Sequence, residues 1–454
     1  MSSIRSLSLR EITLGFGGII ICFILFWTLF LFIQPLLVFL MIFGFLFILF
    51  IFIKPLYGLL FLIILRPTLD IFTSKAILAV GDYSLNIASL LAIGITILSA
   101  ILIIQNLNKL KSIPLKLPWL IFIFITFTSI FHSANIFTSL AEWLRILSIF
   151  SLYLLGFIFI KNSADLKKLI YTIILSALVP GLMAFYQFFT KTGMAVIDED
   201  ITNRIFGTFA HPNLLAYYLT LPIVLIIFLI LNKEKYLQKN ILLYCFFIFS
   251  FSLLVLTYTR GAWVVFLIVI FTLGIIQYKK FLLGALTGLL LLYLLVPPLN
   301  TRVNNLFQYN PYSSIQWRIN LWKDGFKYSQ EEIITGYGLG TASKIILDKR
   351  GEKFGSPDPH NDYLKILIEN GILGLAAYCF IVLSLLSNLI KGYMKANSIF
   401  NKNFFLLLIG ISFALYFMSF ADNVFRNTAL QWVFWILLGA LFSIHQKSLS
   451  SSIK

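Results

Sequence analysis

Charge is scarce in this sequence. Only 12% of its 454 residues are Asp, Glu, Lys or Arg, about half the share usual in a soluble domain. With 60% of the chain hydrophobic, that scarcity excludes an ordinary water-soluble fold, since no single core buries so much apolar surface. Cysteine is almost absent: Cys22, Cys245 and Cys379 all lie inside apolar stretches, which excludes a disulfide framework and a thiolate metal site. The spacing of the four histidines supports no metal centre either. No small-residue cleavage site follows the apolar run after Arg5 and Arg10, so the N-terminus reads as a retained first span. Internal repeats and low-complexity linkers are lacking, and GYGLG at 336–340 has neither the strand before it nor the lysine after it that a phosphate loop requires. Those glycines read as a tight turn.

What the sequence does hold is apolar runs of the length a bilayer demands, about 20 residues each. They predict an all-α polytopic membrane protein with about 12–14 transmembrane helices. The candidates lie near 13–33, 36–53, 55–66, 85–105, 117–132, 139–160, 169–190, 213–232, 240–257, 260–277, 281–298, 363–390, 403–420 and 428–444. The segment 55–66 is too short to span alone and reads as re-entrant or tilted. The chain divides into an N-terminal bundle over 1–298, a large hydrophilic loop over 299–361, and C-terminal helices over 362–454, within one membrane domain.

The excess of 35 basic over 18 acidic residues would suggest nucleic acid in a soluble protein, but its distribution argues otherwise. With both termini cytoplasmic, the connections on that side collect more than half of the basic residues. Among the acids they hold only Glu11, Asp165 and Glu234. The positive-inside rule is thus satisfied in the cytoplasmic membrane, and no nucleic-acid partner is implied. The same alternation sends the 299–361 loop, the 191–212 loop and the turns near Tyr258 and Asp422 to the outside.

Those outer segments carry the candidate chemistry. As a helix, Ile315 to Gln330 is amphipathic, with Ile315, Ile319, Trp322 and Phe326 on one stripe, and it should lie against the membrane surface. Arg318 falls within the apolar arc. It is either a cation snorkelling to a lipid phosphate or one awaiting an anionic substrate. Arg260 lies in TYTRGAW, and Arg204 in TNRIFGTFAHPN. Three guanidinium forks beside apolar walls suit a lipid diphosphate, because each donates paired charge-assisted hydrogen bonds. His360 ends SPDPH, where Pro357 and Pro359 restrict the backbone before a helix begins. Its imidazole is placed to take a proton from a sugar hydroxyl, or simply to cap and pack. His211 is the rival base, although it precedes Pro212 and could only shape a turn; His132 and His445 read as structural. Asp198, Glu199 and Asp200 form a D-x-D that reads as solvated rather than metal-binding. Glu142 and Arg145, at i and i+3, are placed to pair within the membrane.

Four ordered blocks, RIFGTFAHPN at 204–213, TYTRGAW at 257–263, WRINLWKDGF with GYGLG, and HNDYLKILIENGILG at 360–374, resemble the O-antigen ligase and polymerase superfamily of membrane glycosyltransferases. The last block carries His360, Asn361, Gly371 and Gly374 in the family's spacing. One departure is Trp322, where the ligase motif often has leucine. The resemblance implies a C-type glycosyltransferase fold with short amphipathic helices in the large outer loop. It also implies an undecaprenyl-diphosphate-linked glycan donor, and a lipid A-core or lipid-linked glycan acceptor. Transfer would be inverting and metal-independent, without cofactor, at a site facing the periplasm or outside. By resemblance, Arg260 and Arg318 engage the diphosphate, His360 activates the acceptor hydroxyl, and Arg204, His211 and Asn361 complete the substrate site. A ligase and a polymerase share this donor and this proton chemistry. The third reading, a transporter or flippase, calls for inverted repeats or charge at mid-membrane, whereas the charges collect at the outer ends.

Overall fold

The computed structural model describes Gly44 and residues 50–72, 78–80, 83–85, 87–195, 203–232, 241–304, 314–351 and 356–452. The predicted span near 13–33, most of that near 36–53, and the Asp198–Asp200 triplet lie outside the described residues. The chain forms two compact units, Met1–Leu59 and Leu60–Lys454, and apart from the start of the first helix the second holds everything discussed below.

The described residues are overwhelmingly helical, as an all-α polytopic membrane protein requires. In order they form α1 (Pro55–Leu69), α2 (Ile87–Ile104), α3 (Lys116–Thr128), α4 (Ile136–Phe159), α5 (Ser163–Ser176), α6 (Leu178–Thr190), α7 (Pro212–Leu231), α8 (Ile241–Leu256), α9 (Arg260–Ile276), α10 (Lys279–Leu295), α11 (Pro297–Asn304), α12 (Ser314–Ser329), α13 (Ala342–Arg350), α14 (Asp362–Lys395), α15 (Ile399–Met418) and α16 (Thr428–Ser452). Two small antiparallel pairs accompany them, β1 (Leu78–Val80) with β2 (Tyr83–Leu85), and β3 (Met194–Ala195) with β4 (Asn203–Arg204). Among the described residues seven helical stretches are long and apolar enough to cross a membrane, and four shorter apolar helices accompany them.

Two of the predicted spans differ in detail. The segment expected to stop at 66 continues to Phe72, which makes it long enough to span. Arg66, at the expected end, pairs with Asp70 one turn on and lies over the Trp432 ring. The predicted span 169–190 is two helices, α5 and α6, joined at Ala177. Pro180 lies in the first turn of α6, where its missing N–H costs nothing.

The core runs along α4 and α16. Glycine lets these helices approach: a Cβ on Gly156 would sit 2.5 Å from the Ile436 carbonyl oxygen, and one on Gly439 would strike that of Tyr153. Aromatic rings fill the space beside this seam, with Trp119 edge-on to Trp435 at 4.8 Å and stacked on Phe150 at 5.3 Å. The membrane-spanning part of α16 is entirely buried within the protein, with α4, α5, α7 and α15 packed against it. At one end of the bundle, Gln446 and Lys447 of α16 bond Ser112 and Lys161. At the other end, five segments converge.

Candidate functional site

His360 lies in that convergence. Three features hold the turn that carries it. Trp322 Nε1 of α12 donates to the Pro359 carbonyl at 2.7 Å, Asn361 Oδ1 caps α14 by accepting the Leu364 amide at 3.0 Å, and the Asp362 amide donates to the Ser419 carbonyl at 2.8 Å. The last bond joins the start of α14 to the end of α15, and so sets His360 beside the turn that leads into α16. There Asp422 Oδ1 lies 3.2 Å from His360 Nδ1. With Asp422 ionised, Nδ1 carries the proton and donates it, which leaves the Nε2 lone pair available. The Trp317 ring meets the imidazole edge to face at 5.6 Å.

Behind Asp422 the polar chain continues. Asn213 Nδ2 donates to Asp422 Oδ2 at 2.8 Å, and Arg204 Nη2 donates to Asn213 Oδ1 at 3.1 Å. Arg204 also donates to the Thr257 carbonyl and the Thr259 hydroxyl, each at 2.8 Å, and so ties β4 to the turn before α9. Arg260 is the first residue of α9. Its neighbour Thr259 belongs to this network, and Gly261 packs against the buried Tyr217 of α7. Arg318 reaches in from α12, its Nη1 donating to the Ala421 carbonyl at 2.8 Å while its Nε is buried without a hydrogen-bond partner. The structure therefore gathers Arg204, Arg318, His211 and His360 around Asp422, with Arg260 one residue from the network.

The stripe predicted to lie against the membrane surface stays partly exposed, and a neighbouring face of α12 packs inward. Ile315 and Phe326 are exposed, whereas Leu321 is wholly buried and a Cβ on Gly325 would touch Leu364, Ile368 and Ile346. The packing follows the residues small or flat enough to lie against α14. Arg318 belongs to that inward side, which brings it to Ala421 rather than leaving it on a membrane-facing surface.

His211 caps α7, its Nδ1 accepting the Asn213 amide at 3.1 Å. Burial and then the Arg204 charge depress its pKa to about 4. It is thus neutral with its proton on Nε2, a donor rather than a base. Asp422 is the reverse case. Burial acts to raise its pKa, but the His360 hydrogen bond and the Arg318 charge outweigh that and hold it below the usual carboxylate range.

The glycine turn supports the site from behind. Gly336, Gly338 and Gly340 all have positive φ, which only glycine adopts freely. α14 is broken at Gly371, whose φ is 62°, and the turn fills the break: Tyr337 N donates to Ile368 O at 2.9 Å and Gly338 N to Glu369 O at 3.0 Å. Glu142 and Arg145 pair at 2.8 Å as expected, and Arg145 Nη1 further donates to the Phe425 carbonyl at 3.0 Å, bracing the turn that carries Asp422.

Sequence reasoning missed Asp422 and Asn213 as partners of His360 and Arg204, along with Asp358 and Arg426, which pair at 2.8 Å beside them. Asn213 was inside a recognised block. Asp422 had only its place in an outer turn to mark it. Among the described residues, no group of three or more His, Cys, Asp or Glu side chains is arranged to hold a metal ion.

No curated protein matches the chain. The family described as O-Antigen ligase matches residues 245–379, a segment that includes Arg260, Arg318, His360 and Asn361, so this part of the chain is similar to the O-antigen ligase family.

Proposed function

We propose that the protein transfers a glycan from undecaprenyl diphosphate to an acceptor hydroxyl on the outer side of the cytoplasmic membrane, as an O-antigen ligase does. The observation that carries this reading is the His360–Asp422 pair, with Arg318 and Arg204 bonded into the same turn network. His360 Nε2 accepts the proton of the attacking hydroxyl, and Asp422 stabilises the imidazolium that forms. The hydroxyl oxygen attacks the anomeric carbon as the bond to the diphosphate oxygen breaks on the opposite face. A single displacement of this kind inverts the centre. Positive charge for the leaving diphosphate comes from Arg260 and Arg318, with Arg204 behind them and the neutral His211 donating from Nε2. Guanidinium groups already in place fill the part that a metal ion plays in other glycosyl transfers, so the reaction is read as metal-independent. The lysine-rich end, where Lys161 and Lys447 meet, is assigned to the cytoplasm. The acceptor is a lipid A-core glycan.

Deletion of the gene tests this. A ligase deletion strands long polymers on the lipid carrier, a polymerase deletion strands single repeats, and unchanged glycans would sink both readings. In His360→Ala, transfer should be lost while the melting temperature of the purified protein stays that of the parent.

A further inference from the structure

His360 has φ 47°, a conformation that L-residues rarely adopt, between Pro359 and the cap of α14. Such a residue persists only where its surroundings over-determine it. Here the surroundings include two carboxylates, two residues to either side. On the helix side, Asp362 Oδ2 accepts the Phe425 amide at 2.8 Å. On the other, Asp358 Oδ1 accepts from Asn423 Nδ2 at 2.5 Å and Oδ2 accepts from Arg426 Nη1 at 2.8 Å. The His360 amide also donates to Asp358 Oδ1, at 3.4 Å. Asn423 is the residue after Asp422, and its own amide donates to Asp422 Oδ1 at 2.9 Å. One side chain therefore grips the histidine's backbone and the turn of the histidine's partner together.

We propose that Asp358 is a positioning residue, which with Asn423 and Arg426 sets the register between the His360 turn and the Asp422 turn so that imidazole and carboxylate meet. The inference rests on the reading of His360 as the base, but the register itself is observable without any reaction. The Arg426 side chain is 47% exposed, so that ion pair alone would hold the turn weakly. The Asp358 side chain is 17% exposed, and its Asn423 bond is part-buried where its Arg426 bond is exposed to water, which makes the amide the firmer of the two grips. Burial would favour a protonated Asp358, but the Lys365 and Arg426 charges and the Asn423 bond hold its pKa at about 2, so the clamp stays ionised at any physiological pH. Removing the carboxylate lets the His360 turn relax toward ordinary φ and carries the ring away from Asp422. The helices need not follow, because Asn361 still caps α14 and Asp362 still binds Phe425.

The test uses the full chain in detergent with 15N-labelled histidine, the His360 ring signals being assigned by their loss in His360→Asn. The parent should show Nδ1–H bonded to a carboxylate, and Asp422→Asn should abolish that signature. Asp358→Ala should abolish it as well and cut glycan transfer in a complemented deletion strain by about tenfold to a hundredfold. Asp358→Asn, which keeps an acceptor for Asn423 and for the His360 amide, should retain more of both. If Asp358→Ala does not fold, Asn423→Ala removes the firmer grip and should shift the same signal. An unshifted His360 Nδ1 signal in a folded variant of either kind overturns the proposal. If His360→Ala leaves transfer intact while Asp358→Ala still displaces the His360 signal, the clamp stands and the reading of the reaction falls.

Discussion

Along the seam of α4 and α16, glycine brings two backbones together and rings close the remaining space. Almost every contact there is non-directional. Around His360, by contrast, the contacts are directional bonds among side chains and loop carbonyls, and the backbone is left-handed at the residue that matters most. A seam of the first kind tolerates no added volume but has no reaction to lose. A cluster of the second kind depends on angles and charge. Substitutions in the two regions should therefore separate stability from turnover, and each prediction below seeks a place where that separation fails.

The largest effect is expected in the seam. Gly439→Leu drives a side chain into the Tyr153 carbonyl, between helices that have no slack. Overpacking of this kind should cost upward of about 3 kcal/mol, read as loss of monodisperse protein on size-exclusion chromatography. A well-folded Gly439→Leu protein would show that the seam is looser than its geometry implies.

Next comes Asp422→Asn. An amide facing His360 Nδ1 favours the wrong tautomer, so transfer should fall by about a hundredfold or more with little change in melting temperature. A matching loss of stability would mean that Asp422 belongs to the scaffold rather than to the chemistry.

The contrast also explains what could be read in the sequence. The spans follow from composition, because lipid demands apolar length whatever the packing. His360, Arg204 and Arg318 stood out in the sequence because guanidinium and imidazole groups are scarce in so apolar a chain. Glu142 and Arg145 were legible because their helical spacing makes them neighbours, and the glycine turn because no other residue supplies its φ. Asp422 was not, since an aspartate in a short polar turn looks like any solvated residue until folding places it beside a histidine 62 positions away. The packing of Leu321 and Gly325 of α12 against α14 was not legible, because a hydrophobic stripe says which residues avoid water, not whether protein or lipid covers them. The segment ran past its expected stop, with Asp70 in the turn that extends α1 compensating Arg66.

Gly371→Ala lies between the two regions. The residue is in the transmembrane helix α14, yet its φ of 62° serves the glycine turn behind the site, and a Cβ would strike the Ile334 carbonyl. Strain at such a position costs about 1–3 kcal/mol, and α14 carries His360 at its head. Both melting temperature and transfer should fall, by less than the losses in Gly439→Leu and Asp422→Asn respectively. If only one of them moves, the helix break belongs to that region alone.

The smallest effect expected is that of His211, whose ring caps a helix but stands within the field of Arg204 and Arg318. Its folded pKa of about 4 lies below the ordinary value of 6.5, so between those limits the unfolded chain binds a proton that the folded one refuses. The stability tied to neutral His211 is complete above about pH 6.5 and is lost as pH falls toward about 4. Asn at this position still offers an oxygen to the Asn213 amide but has nothing to titrate. His211→Asn should therefore melt close to the parent at pH 7.5 and above it at pH 4.5, as followed by thermal denaturation in detergent. Parallel pH slopes for the two proteins would mean that the imidazole is protonated in place. His211 would then be a fourth cation of the site, and the division between its capping and its chemistry would have to be redrawn.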